Sequence, residues 1–377
     1  MKSPICEMLG IEFPLFAFSH CRDVVAAVSR AGGFGVLGAV NHSAQSIEME
    51  LKWIDDHVGG MPYGLDVVFA DNLATAGEQH VTYADLAPRV SQAHHDFAAK
   101  LLADAGVTPL AQERSEDNPQ PFDPEQAMEV LQVAFRHPIK LIANALGVPP
   151  PAMIKMAHDH GVPVAALVGA KEHAIRQINA GVDILVVQGT EAGGHCGEVS
   201  TMVLVPEVLK AIRPMRNVPV LAAGGIMGGR QMAAVMAMGA AGAWTGSVWL
   251  TTPESGLSEV MMDRLIEASS RDAVRTRSRT GKPCRQLRSA WSEAWERNPD
   301  SPGALPMPLQ TLVSEVPLRS AERAASAGNL KARDLVTSLC GQGVGLLDSV
   351  RSATQVVQEF KADFIEAVEH MNTLLED

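Results

Sequence analysis

Eight short apolar runs set the strongest limit on what this chain can fold into. They lie at Phe13–Phe18, Gly35–Ala39, Gly64–Phe69, Ile139–Ala143, Pro163–Val168, Asp183–Gln188, Pro219–Ala223 and Ala241–Thr245. Each is apolar nearly throughout and rich in Val, Leu, Ile and Ala, the pattern of strands buried on both faces of a parallel sheet. Helix-like stretches separate most of them, at Asp23–Ala31, Ser43–His57, Pro151–Gly161, Lys171–Gly181, Pro206–Ile212 and Gly228–Gly239. Several of these end on glycine (Gly161, Gly181, Gly239), as a left-handed C-terminal cap favours. A repeated strand–helix unit predicts an α/β fold, and eight units predict a (β/α)8 TIM barrel. An open doubly wound sheet is the other arrangement this rhythm allows.

Two stretches interrupt the rhythm. Residues 70–138 hold an expected helix at Tyr83–Ala105 and a polar, proline-bearing segment at Pro109–Gln126. That is too long for a plain barrel loop and reads as a helical excursion after the third strand, one that could act as a lid. Residues 253–339 are helical in pattern, with a proline-rich break at Asn298–Pro308. The expected organisation is a barrel over 1–252 interrupted by the 70–138 excursion, and a helical cap, the substrate domain, over 253–339. A C-terminal segment, 340–377, carries an amphipathic helix at Leu346–Leu375 that packs back on the barrel.

Bulk properties remove several function classes. The net charge of −12 argues against nucleic acid or an anionic membrane as the main partner. The five cysteines (Cys6, Cys21, Cys196, Cys284, Cys340) are odd in number and form no C-x-x-C pair. Neither a disulfide framework nor a zinc site follows, and a reducing compartment is the simpler expectation. The N-terminal stretch MKSPICEMLGIEFP has no long apolar core, and no run approaches the roughly 18 apolar residues of a membrane span. The expectation is a cytoplasmic protein.

Two glycine clusters carry different messages. GGFGVLG, Gly32–Gly38, contains G-x-G-x-x-G, but a helix precedes it and a strand follows. A dinucleotide site needs the reverse order, so that a helix N-terminus meets the pyrophosphate. Close backbone approach in a tight turn explains these glycines better. AAGGIMGGR, Ala222–Arg230, ends a strand and opens a helix, and WTGS, Trp244–Ser247, repeats the arrangement one unit later. By count these follow strands seven and eight, where barrels often build a phosphate site from backbone N–H groups. Gly224, Gly225 and Gly246 let an anion approach the backbone, and the Ser247 hydroxyl can donate; either turn alone could instead be a strand-to-helix turn that needs positive φ, and it is the pair on these two strands that points to phosphate. QGTEAGGHCG follows the sixth strand and so faces the same rim, which brings His195 near whatever the phosphate belongs to. By itself His195 could equally be a hydrogen-bonded loop histidine.

QGTEAGGHCG, AAGGIMGGR, MGAAGAWTGSVWLTTPES and RTRSRTGKPCRQLRSAW, in this order and spacing, resemble the nitronate monooxygenase (2-nitropropane dioxygenase) family. The resemblance runs from about Pro14 to GQGVGLLDS, Gly341–Ser349, and is weak across 70–138. It implies FMN held non-covalently at the C-terminal rim of the strands under a helical cap. Carried over, Gln188, Gly193 and Gly194 would touch the flavin. Gly224, Gly225, Gly246 and Ser247 would hold its phosphate, with Trp244 and Thr245 in the same loop. His195 matches the family's histidine in A-G-G-H, the base that takes the α-proton of a neutral nitroalkane. An imidazole near its ordinary pKa suits that role. The implied activity is oxidation of alkyl nitronates by O2 to a carbonyl product and nitrite.

The sequence departs from the family in two places. The first strand reads PLFAFSHCRD, shorter than usual and without the family's methionine, so Ala17 and Phe18 would line the flavin through their backbone. The third strand reads GLDV, with Asp66 where the family carries asparagine. There it would accept from a flavin N–H or a ribityl hydroxyl. Two further readings follow from the same residues. One is an FMN-dependent reductase taking hydride from NAD(P)H, enoyl-acyl-carrier-protein reductase-like or a quinone reductase. The other is a non-catalytic FMN-binding module. A homodimer is compatible with all three.

The remaining candidates have bland explanations. The basic run Arg271–Arg288 reads as a salt-bridged face or a site for a phosphorylated or carboxylate substrate; nucleic acid does not fit an acidic chain without interleaved aromatics. Cys196 beside His195 does not make a nucleophile pair, since loop neighbours point apart as often as together. His94–His95 and His158 with His160 lack a third metal ligand. Trp291 and Trp295, at i and i+4, are expected to pack the cap.

Overall fold

The computed structural model describes residues 1, 3–40, 42–70, 73–78, 81–111 and 122–375. Most of the proline-bearing stretch Pro109–Gln126, namely 112–121, lies outside the described residues, as do 376–377 at the end of the C-terminal segment. Eleven strands are described: β1 (Leu15–Ser19), β2 (Phe34–Gly38), β3 (Tyr63–Val67), β4 (Leu141–Asn144), β5 (Val164–Val168), β6 (Ile184–Gln188), β7 (Gly194–His195), β8 (Val220–Ala223), β9 (Gly242–Thr245), β10 (Ala273–Thr276) and β11 (Cys284–Leu287). Eight of them close a parallel barrel in the order β1-β2-β3-β4-β5-β6-β8-β9, with β9 pairing back onto β1 through Leu15↔Ala243 and Phe16↔Trp244. This is the (β/α)8 barrel the eight apolar runs predict.

Strand side chains alternate, so each barrel strand feeds two cores. The inward set, including Phe16, Phe34, Val36, Leu141, Ile184, Val186, Leu221 and Trp244, fills the barrel with Ile5, Leu9 and Ile11 from the N-terminal segment. Phe16 stacks on Trp244 with ring centroids 6.1 Å apart. The outward set packs under the surrounding helices.

Gly35 in GGFGVLG shows why the dinucleotide motif misleads. A Cβ there would lie 2.4 Å from the Val25 carbonyl oxygen. The glycine exists so that the helix Arg22–Arg30 can lie against β2. Gly229 plays the same part elsewhere: its Cβ would lie 2.2 Å from the Phe360 carbonyl. That contact seats the C-terminal helix Ala353–Thr373 against Gly229–Ala237, and Arg230 reinforces it with ion pairs to Asp363 (2.8 Å) and Glu366 (2.7 Å).

Several expectations need correction. The 70–138 stretch divides between two cores. Val81–Val107 joins a second apolar cluster with Trp291, Trp295, Val313 and Leu335, whereas the helix Pro124–Ala134 packs on the barrel. Within it the single helix Tyr83–Ala105 is broken into Tyr83–Leu86, a 3-10 turn Ala87–Arg89 and Gln92–Asp104, because Pro88 has no N–H to continue the ladder. The helix expected from Pro206 begins five residues earlier, at Thr201, with Pro206 inside it. The cap stretch is not helical alone: β10 and β11 form an antiparallel pair with β7, in the order β10-β11-β7. The C-terminal helix starts at Ala353 rather than Leu346, and Cys340, Val344 and Leu347 belong to the cap core.

Candidate active site

The C-terminal ends of the barrel strands and the cap sheet meet at one rim. After β6 the chain turns through Gly189–Gly193 and enters β7, which pairs with β11 through Cys284↔His195 and Arg285↔Gly194. The cap is therefore joined to the rim by a β-ladder that contains His195. Arg285, inside the basic run, secures the joint: Nε donates to the Thr190 carbonyl (3.0 Å) and Nη1 to the Ala273 carbonyl (2.7 Å). The rest of that run is largely structural too, with Arg275 on Glu198, Arg288 on Glu293 and Arg277 on the Gly281 carbonyl.

His195 Nε2 lies 2.9 Å from Thr280 Oγ1, and Thr280 Oγ1 is also 3.3 Å from the Lys282 carbonyl. With the Thr280 proton on that carbonyl, His195 donates from Nε2 and keeps the Nδ1 lone pair. Burial, helped by the Lys282 charge, pushes the imidazole down to about 4. This corrects the expectation of a near-ordinary pKa: His195 is neutral across the physiological range, a lone-pair donor rather than a cation.

The turn after β8 is left-handed, as a strand-to-helix turn there needs with or without an anion. Gly224 has φ +105° and Gly225 φ +75°, both in the left-handed region. Thr201 and Glu191 brace it: the Thr201 hydroxyl reaches the Gly224 carbonyl at 3.0 Å, and Glu191 accepts from the Thr201 backbone N–H at 2.9 Å. After β9, a Cβ at Gly246 would meet nothing within 4 Å. Ser247 Oγ accepts from the Gly341 N–H at 2.8 Å, which leaves its own proton to donate. Gln342 N–H donates to the Glu191 carbonyl at 2.8 Å, so the Gly341–Ser349 stretch ties the β6 and β9 turns together.

The other carried-over residues sort by what they touch. Gly193 is glycine because a Cβ would lie 2.9 Å from Cys340 Cα, and Gly194 because its φ is +73°. Gln188 ends β6 half-buried at the rim. Ala17 is fully buried, and Phe18 lies half-buried inside the mouth beside Trp244, centroids 6.4 Å apart. Trp244 belongs to the barrel interior. Thr245 turns away from the mouth: its hydroxyl donates to the Phe16 carbonyl (2.8 Å) and accepts from the Trp249 indole (3.0 Å). Asp66 is 3% exposed on the inward face of β3, with Oδ1 unpartnered. Burial raises its carboxyl to about 8.

Two residues at the rim, His20 and Thr280, were not singled out from sequence. His20 occupies the space Gly38 leaves, with Nδ1 3.1 Å from the Gly38 carbonyl. Desolvation lowers its pKa, and the charges of His42 and, least, Arg279 from the cap add to that. For Thr280, only its membership in the quoted Arg275–Trp291 stretch could have pointed to it. The sequence candidates outside the rim behave as packing. Trp291 and Trp295 are buried with centroids 5.7 Å apart, His94 bonds Ser91, and His158 bonds Asp183. Among the described residues no group of three His, Cys, Asp or Glu side chains is placed to hold a metal ion. Nor is any described helix long and apolar enough to cross a membrane.

A barrel with a capped rim, glycine turns after β8 and β9, and a histidine on the β6 loop is the arrangement the motifs implied. The family model described as nitronate monooxygenase matches residues 2–363. The chain belongs to the nitronate monooxygenase family. Among curated proteins it is 50% identical, over the full length of both chains, to one named "Putative monooxygenase Rv1533" from Mycobacterium tuberculosis. It is 27% identical to a "Probable nitronate monooxygenase" of Staphylococcus saprophyticus, over 76% of this chain and 79% of that one. Among solved structures, a nitroalkane oxidase from Streptomyces ansochromogenes superposes with TM-score 0.76 at 24% identity, covering 97% and 99% of the two chains. FabK from Thermotoga maritima superposes with TM-score 0.72 at 24% identity, covering 99% of each. Membership makes this nitronate monooxygenase relative an oxidoreductase of the flavin-dependent type, acting on a small molecule with O2.

Proposed function

We propose that this protein holds FMN at the barrel mouth and oxidises alkyl nitronates with O2, giving a carbonyl product and nitrite. The observation that carries the reading is the joint geometry of the rim. A neutral, half-buried His195 on β7 stands on the same rim as two glycine turns suited to a phosphate. The fit rests on the chain itself: Gly224 and Gly225 hold positive φ, Gly246 faces open space, Ser247 keeps a hydroxyl proton, and the buried Oδ1 of Asp66 lacks a partner. Gly224, Gly225, Gly246 and Ser247 would hold the phosphate, while Gln188, Gly193, Gly194, Phe18, Ala17 and Trp244 would border the ring system. Thr245 would contribute only through its backbone. When bound, the flavin supplies electron transfer from the nitronate to oxygen; the protein supplies position and charge.

His195 does two jobs in this reading. Its lone pair accepts the α-proton of a neutral nitroalkane, and the Thr280 hydrogen bond fixes the ring for that transfer. The Lys282 charge, close enough to depress the His195 pKa, favours the anionic nitronate that results. Thr280 and Lys282 come from the cap, so the cap completes the substrate side.

The test is anaerobic mixing of purified protein with ethylnitronate and, separately, with NADPH, followed in the visible spectrum, then nitrite release in air. Reduction by nitronate together with nitrite release supports the proposal. Reduction by NADPH alone moves the reading to an FMN-dependent reductase of enoyl-thioester or quinone type. Bound FMN reduced by neither leaves a binding module. Gel filtration decides whether the protein is a homodimer, and cell fractionation whether it is cytoplasmic.

A further inference from the structure

The residue that departs most sharply from the family pattern at the mouth is Asp66, and its surroundings explain how an acid can stand there. Its strand neighbours Leu65 and Val67 pack outward under the helices, so Asp66 points into the barrel. Its register partners are Gly38 on β2 and Ala143 on β4, neither of which can bond a carboxyl through its side chain. The side chain is 3% exposed, and Oδ1 has no hydrogen-bond partner. A buried polar atom left without a partner costs about 1–3 kcal/mol unless something supplies one.

We propose that Asp66 works as a neutral carboxylic acid that donates its proton to an acceptor on the bound flavin, replacing the amide the family usually places there. The inference rests on the FMN reading above. A neutral carboxyl has one O–H donor and remaining acceptor capacity; an ionised one can only accept. Next to a cofactor that already carries an anionic phosphate, the neutral form adds a bond without adding charge.

The titratable, charged and polar groups described on the neighbouring elements are not bonded to it. The loop after β1 brings His20, which leans on the Gly38 carbonyl. The loop after β2 brings His42, bonded to Ser46 Oγ at 3.2 Å. β4 brings Asn144, whose amide is spent on Phe69, Leu146 and Gly147. The cap brings Arg279, whose charge acts on His20. Burial is the one influence on the Asp66 carboxyl, raising it to about 8. The acid is therefore neutral at pH 7 and mostly ionised at pH 9.

The consequence is pH-dependent flavin retention of a kind a merely structural role would not produce. If only the neutral form binds, one competent molecule in about ten remains at about pH 9, and the apparent Kd rises about tenfold from pH 7. Stripped protein is titrated with FMN at about pH 7 and about pH 9, following quenching of flavin fluorescence, for the wild type and for Asp66→Asn. The expected result is a roughly tenfold weakening in the wild type and less than a twofold change in the variant. Infrared difference spectra on FMN binding at pH 7 should also show a protonated-carboxyl carbonyl band in the wild type that the variant lacks. A wild-type Kd flat across this range, or a variant that tracks the wild type, overturns the proposal. If neither protein takes up FMN at any pH, the cofactor reading itself fails, and this inference with it. Because the wild-type titration and the infrared band stand alone, a variant that folds poorly does not rescue the idea.

Discussion

GGFGVLG and AAGGIMGGR look alike on paper and do opposite work. In the first, Gly35 is filled by its neighbour: Val25 backbone atoms occupy the space a Cβ would need. In the second, Gly224 and Gly225 hold left-handed backbone at the open end of a strand. The contrast recurs inside AAGGIMGGR itself, where Gly229 is again a packing glycine, pressed against Phe360 of the C-terminal helix. Gly35, near the start of β2, closes distance between elements; Gly224 and Gly225, after β8, hold the left-handed turn that the proposed cofactor would meet. Strand polarity decides which, and a consensus pattern does not record it.

Substitutions at the two kinds of glycine should therefore fail differently. The largest effect is expected from Gly35→Ala. The added carbon meets backbone that cannot swing away, so the fold should lose about 3 kcal/mol, read as a lowered urea midpoint, with any folded fraction still binding flavin. An unchanged midpoint would mean that the helix Arg22–Arg30 can retreat from β2. Gly225→Asp should do the reverse. Thermal stability should stay within a few degrees of wild type while the purified protein loses its flavin, because a carboxylate would face the phosphate and Glu191. A yellow Gly225→Asp protein would remove this turn from the cofactor site.

Smaller effects sharpen the account of the rim. His195→Asn should retain flavin and lower turnover of neutral nitroalkanes by about 10²-fold, with pre-formed nitronates affected far less. Equal losses on both substrates would show that His195 positions rather than accepts a proton. The same histidine makes a pH prediction. Its folded pKa, about 4, lies below the unfolded value, so its contribution is complete above pH 6.5 and is lost as pH falls from there toward 4. At about pH 5.5 the wild type should have lost about 1 kcal/mol of stability that His195→Asn does not lose, measured as the difference in urea midpoints.

The barrel was legible because its physics is local. A strand buried on both faces has to be apolar at nearly every residue, so all eight runs stood out, with ends within a few residues of those observed. The cap sheet carried no such mark. β7 is two residues long, β10 reads AVRT and β11 reads CRQL, so neither apolar continuity nor alternation was present to find. Position His195 could be placed near the rim from motif order, yet its partner Thr280 is 85 residues away and joined only by the β7–β11 pairing. The side chain of Thr245 could not be assigned from sequence either, since its turn toward Trp249 depends on which face of β9 looks outward.

The central claim is that the rim holds a flavin that nitronate reduces. The visible spectrum of the purified protein, recorded before and after anaerobic addition of ethylnitronate, tests it most directly. The account predicts a flavin spectrum that bleaches on addition and returns when air is admitted, with nitrite in solution. A protein that stays colourless after incubation with FMN, or a bound flavin that ethylnitronate leaves oxidised, would contradict it.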